Sequence, residues 1–172
     1  VTKSGYTSDR TLAPGSDVPN PVKPPASVVA QNVTSISFFI DRVSRIDLGT
    51  QGSVCQSIGN VPVSLVGSRL LGTDPDVRIT STTITTNSAG LYTFADLGWD
   101  AYGLRPNGYD LLGSIPPLPL TLAPGATQAV SLVLGANTAR ALLVNVINSI
   151  TRQPGANATV TVYDTDPPAP PG

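Results

Sequence analysis

The chemistry open to this chain is set by its acids, because all eleven acidic residues are aspartates and histidine is absent. Asp74, Asp76, Asp96 and Asp100 form the densest acidic run, and Asp164 with Asp166 a second one near the end. Calcium takes about six to eight oxygen ligands, so a loop holding Asp74, Asp76 and backbone carbonyls is a natural contributor to such a site. The preferred reading is plainer: Asp in a turn hydrogen-bonds its own backbone. Without His or Glu the usual general bases are missing, and one cysteine makes neither a thiolate metal site nor an internal disulfide. An enzyme would have to work with Asp, Tyr, Ser and Arg. The expectation is a protein without catalytic activity, metal or cofactor.

Other side chains suggest contact with partners. Trp99 and Tyr102 flank Asp100 and could form a sugar-binding platform, although a Trp at a sandwich corner with its indole N–H satisfied is the preferred reading. Asn32-Val33-Thr34 and Asn157-Ala158-Thr159 fit the acceptor pattern for N-glycosylation, a short pattern that also arises by chance in a Thr-rich chain. Cys55, in a Gly/Ser loop, is a candidate for a thiol that pairs between molecules, with a free thiol the simpler expectation.

The elements that must position these residues are read from pattern. Charged residues make up only 12% and the net charge is −1, so there is no electrostatic footprint for nucleic acid. No apolar run reaches the roughly 18 residues that span a bilayer, so no membrane insertion is expected in this stretch. The absence of an initiating Met predicts a piece of a longer polypeptide, and the polar, Thr-rich, Lys-poor composition leans towards an extracellular setting. Ile79 to Leu104 is the organising stretch. Thr82, Ile84 and Thr86, then Leu91 to Phe94, surround an Asn87-Ser88-Ala89-Gly90 turn and read as a hairpin. Leu97 to Tyr102 reads as a corner where one strand leaves a sheet and the next enters the facing sheet.

Before that stretch, Val1 to Thr11 reads as a strand bent at Gly5-Tyr6, and Leu12 to Pro25 as a Pro-rich surface loop. Ala26 to Ala30 and Ser35 to Ile40 follow as strands, the second with Ile36, Phe38 and Ile40 on one face. Strands are also expected within Asp41 to Thr50 and at Asn60 to Val66, where Val61, Val63 and Leu65 share a face, with Gly67 to Val77 as a connection. After it come Tyr109 to Leu112, a Pro-rich edge or cover at Ile115 to Leu122, and Gln128 to Leu134. Arg140 to Ile147 and Thr159 to Tyr163 are expected strands before a Pro-rich tail. No segment holds a 3.6-residue period, so the class is all-β.

Two stretches repeat. Thr34 to Ile40 resembles Gln128 to Leu134, and Val61 to Leu65 resembles Ala158 to Val162, a period of about 95 residues. The expected organisation is therefore tandem modules, each about the size of one small β-sandwich domain. Residues 41–136 form the complete module. Residues 1–40 are the closing strands of one module, and 137–172 the opening strands of a further one. The split ends would expose open strand edges, so they pair within one chain or with a neighbouring chain.

The run V-P-V-S-L, then T-T-N-S-A-G-L-Y-T-F-A-D-L, then A-Y-G-L-R-P-N-G-Y resembles carboxypeptidase regulatory-like and Cna-B-like modules. Asn87, Gly90, Tyr92, Phe94, Gly108 and Tyr109 fall where that pattern places them. G-S-R-L-L-G-T-D-P and L-G-W-D-A-Y are similar to tandem modules of bacterial prepilin-like surface proteins. The resemblance implies tandem seven-strand antiparallel β-sandwich modules, Ig-like or prealbumin-like (transthyretin-like), in a cell-surface or filament protein. The isopeptide bond of some Cna-B-like modules needs Glu and Lys, and here only Lys3 and Lys23 are present and Glu is absent. The expected function is a non-catalytic extracellular structural protein, a subunit of a filament or pilus built head to tail by β-strand addition. The alternative is an accessory module that binds carbohydrate or a surface receptor.

Overall fold

The structure is a computed structural model, and it describes residues 1–138, 144, 146–151, 153, 155 and 158–161. Contacts divide the chain into Val1–Ala141 and Leu142–Gly172. Among the described residues there is no helix, and the strands are β1 (Asn20–Pro21), β2 (Ser44–Gly52), β3 (Pro62–Gly67), β4 (Leu70–Thr73), β5 (Val77–Arg78), β6 (Ser81–Thr85), β7 (Leu91–Leu97), β8 (Asp100–Pro106), β9 (Tyr109–Ile115), β10 (Leu120–Leu122) and β11 (Thr127–Ala136). They make two four-stranded sheets, β10-β8-β3-β6 and β7-β2-β11-β9, and a small sheet β1-β4-β5.

The alternation expected along β3 explains the packing. Val63 and Leu65 are buried, Pro62, Ser64 and Val66 less so, because successive side chains point to opposite faces. On the other sheet, Ile46 and Leu48 of β2 and Val130, Leu132 and Leu134 of β11 do the same. Together with Phe94, Tyr102, Leu104, Leu120 and Leu122 they form one apolar core fed by both sheets, a sandwich-like arrangement. The ladders are antiparallel except β11 on β2, which is parallel from Thr127 opposite Arg45 to Leu134 opposite Gly52.

Several expectations change. The turn at Asn87 forms, with Asn87 Oδ1 accepting from Ala89 and Leu91 N–H at 3.0 and 2.9 Å. Its two arms do not pair, since β6 lies in one sheet and β7 in the other. A hairpin and a sheet-to-sheet connection share the same turn residues, which is why pattern alone did not separate them. The corner at Leu97 to Tyr102 does pass from one sheet to the facing one. Gly67 to Val77, expected as a connection, contains the β4–β5 hairpin with Asp74-Pro75-Asp76 at its tip. The two main sheets hold eight strands where seven to a module were expected, with β9 as an edge on β11.

Residues 1–40 supply β1 and a bridge of Tyr6 with Arg42. Ala26–Ala30 and Ser35–Ile40, expected as strands, join no ladder. In the second unit, Asn148 N–H donates to the Gln153 carbonyl at 2.9 Å and Gly155 N–H to that of Val146 at 2.8 Å, around a turn held by Asn148 Oδ1. The expected strand at Arg140–Ile147 lies largely outside the described residues, and residues 159–161 of the one expected at Thr159–Tyr163 are described and join no ladder.

Candidate functional site at the Trp99 corner

Asp100 organises the corner between β7 and β8. It is 5% exposed. Its Oδ1 accepts from Ser68 N–H at 3.1 Å, Ser68 O–H at 2.5 Å and Ala101 N–H at 2.7 Å, and Arg69 N–H reaches Oδ2 at 3.1 Å. A carboxylate is tolerated in such a dry place only when donors surround it, so Asp100 is a structural clasp on the β3–β4 turn. Gly67 beside it has no room for a side chain, because a Cβ there would lie 2.3 Å from Asp100 Oδ2.

The same turn aims Arg69 at Trp99. The guanidinium lies 4.1 Å from the indole centroid, and Arg69 also donates to the Trp99 carbonyl at 3.2 Å. Trp99 Nε1–H donates to Asp41 Oδ2 at 2.8 Å, which satisfies the indole at a corner as expected. The ring remains 42% exposed. Tyr102, the other member of the platform in the alternative reading, is 1% exposed and donates its hydroxyl to the Gly98 carbonyl at 2.8 Å. It is a core residue, because β8 points alternate side chains inward and Tyr102 falls on the inward phase. Burial pushes its phenol above the usual tyrosine range.

Trp99 stands at the rim of an open groove of about 750 Å³ that also touches Thr7, Asp9, Lys23, Phe39 and Asp41. Asp9 is the node of the opposite wall. It is ion-paired with Lys23, and its Oδ2 accepts Phe39 N–H at 2.8 Å, while Lys23 donates to the Ser37 carbonyl at 3.1 Å. The Lys23 bond, then the Phe39 amide, hold the Asp9 carboxyl below its ordinary value. Lys23 also lies 5.1 Å from the Phe38 ring centroid. Thr7 ties the base of this segment to Asp41, by N–H to the Asp41 carbonyl at 2.8 Å and by its hydroxyl accepting from Asp41 N–H at 3.0 Å.

The remaining sequence candidates are dispersed. Asp74 and Asp76 sit exposed at the β4–β5 tip, and Asp96 occupies a positive-φ bulge position opposite β2, with Asp100 buried at the corner. Among the described residues no three such groups are placed to hold a metal ion. Asp164, Asp166 and Asn157 lie outside the described residues. Asn32 is exposed in a turn, its Oδ1 accepting from Val33 N–H at 2.9 Å. Cys55 is an exposed free thiol in a positive-φ turn. The Asp9–Lys23–Phe39 cluster and the Arg69–Trp99 stack were not foreseen. Their members are 14 to 30 residues apart, and no local spacing marks them.

No protein-family model matches the chain, and neither a curated protein nor a solved structure does.

Proposed function

We propose that the protein is a non-catalytic extracellular structural subunit that assembles head to tail into a cell-surface filament by β-strand addition. One observation carries this reading. Ser35–Ile40 places Ile36, Phe38 and Ile40 at every second position, bears no charge, and joins no ladder, with Phe39 72% and Ile36 41% exposed. Such a run is a strand awaiting a sheet edge. Its sequence counterpart Gln128–Leu134 does form a strand, β11, in the core of the sandwich. The two sheets around one core also agree with what the resemblance to carboxypeptidase regulatory-like and Cna-B-like modules implies, and those modules are non-catalytic. Negative-stain microscopy and sedimentation of concentrated protein test the reading. Fibres or a growing size distribution are expected, and their loss in Phe38→Ser; a monodisperse monomer at every concentration would refute it.

A second reading, an accessory module that binds carbohydrate or a surface receptor, is favoured by the exposed Trp99 face at the groove rim. Retention of a glycan on an array, abolished by Trp99→Ala in a folded protein, separates it from the first.

A further inference from the structure

The structure assigns the acceptor for this strand: we infer that Ser35–Ile40 of one chain adds in parallel to the free edge of β6 in a second copy. The inference rests on the assembly proposed above. Four strands end the two main sheets, namely β6, β10, β7 and β9. Edges are usually protected by prolines, charges, bulges or short length. β10 has three residues and follows Pro119, β7 carries the Asp96 bulge, and β9 has a register break opposite Val133 and Leu134 and Asp110 at its start. β6, Ser81–Thr85, has none of these protections and no charge.

Ladder parity fixes which groups face outward. Gly67 N–H bonds to Thr80 O and Thr86 N–H to Val61 O, each a directly opposed pair one step beyond the β3–β6 ladder in the same register. Bonding alternates along an antiparallel pair, so Thr82 and Ile84 also point their amides at β3. Ser81, Thr83 and Thr85 therefore point theirs at the open edge. The side chains of Thr82 and Ile84 share the inward phase of their buried partners Leu65 and Val63.

The donor segment has a matching asymmetry. Asp9 and Lys23 occupy the Phe39 amide and the Ser37 carbonyl, which fall on one edge of the run when it is paired as a strand. The backbone groups of Ile36, Phe38 and Ile40 belong to the other edge and hold no hydrogen bond among the described residues. In antiparallel pairing those residues would oppose Ser81, Thr83 and Thr85, leaving Ile36 and Phe38 on the solvent face. In parallel pairing they oppose Thr82, Ile84 and Thr86, and their side chains continue the core. Parallel addition thus satisfies backbone and side chains together with the Asp9–Lys23 clasp closed. Full overlap sets Ser35 beside Ser81 and Phe38 beside Ile84.

Disulfide trapping tests this in a Cys55→Ser background. Chains carrying Ser35→Cys are mixed with chains of different mass carrying Ser81→Cys or Thr85→Cys and mildly oxidised. A heterodimer with Ser81→Cys is expected, and none with Thr85→Cys, which a parallel strand leaves about 13 Å away. Thr83→Pro removes an outward amide without touching the β3 ladder, and should weaken assembly about tenfold or more. Thr83→Lys, which charges the edge, serves if the proline variant fails to fold. Fibres that persist in both variants, trapping with Thr85→Cys, or fibres that form with no Ser81→Cys cross-link would overturn the assignment and leave the assembly reading standing. A protein that never associates overturns both.

Discussion

Asp100 collects donors from Ser68, Arg69 and Ala101 in a site almost closed to water, so its value lies in satisfying them rather than in reactivity. Asp100→Ala strands those amides and should cost about 2–3 kcal/mol in denaturant unfolding. Asp100→Asn should cost less, since most of the bonds fall on Oδ1, which an amide oxygen can replace; equal losses would contradict this account. Tyr102 makes a pH prediction. Its pKa is raised in the fold, so its contribution is complete below the unfolded value of about 10 and is lost as pH rises through the folded value. Stability should fall in alkali, with less of a fall in Tyr102→Phe, as read by circular dichroism against tyrosinate absorbance.

The N-terminal segment meets the sandwich through backbone bonds at Tyr6–Arg42, Thr7–Asp41 and β1–β4, and Asp9 with Lys23 closes it on itself where strands were expected. Asp9 has a lowered pKa, so what it contributes is present above about pH 4 and is lost as pH falls through the lower folded value. The Phe39 amide proton, which donates to Asp9, should shift in NMR with a midpoint below the ordinary carboxylate value; Lys23→Ala should raise that midpoint, and an unmoved midpoint would remove Lys23 from the clasp. Gly90 shows the same dependence on close packing within an element. It has φ of 77°, and a Cβ there would approach Thr50 O to 2.7 Å. Gly90→Ala should therefore destabilise by about 2 kcal/mol or more, measured by thermal unfolding, with little change counting against a rigid turn.

For the whole molecule, assembly through charge-free strands predicts little dependence on salt. Fibre formation at low and at high ionic strength should differ by less than about threefold by light scattering, whereas electrostatic association would fall steeply. Cys55 is exposed but lies outside the inferred interface, so Cys55→Ser should assemble as the original chain does.

The all-β class, the strands at β2, β3 and β11 and the corner at Trp99 were legible in the residues, because alternation and turn chemistry are local. Tyr102, a platform residue only in the alternative reading, is buried because its inward phase is fixed by the ladder with β3 and β10. Asp9, Lys23 and Phe39 meet only after the chain has folded back across long intervals, which composition does not encode. Ser35–Ile40 and Gln128–Leu134 show the division most plainly. Their apolar alternation is the same, but only the second has a neighbour to bond: a residue pattern establishes that a segment can be a strand, and a partner edge in three dimensions decides whether it becomes one.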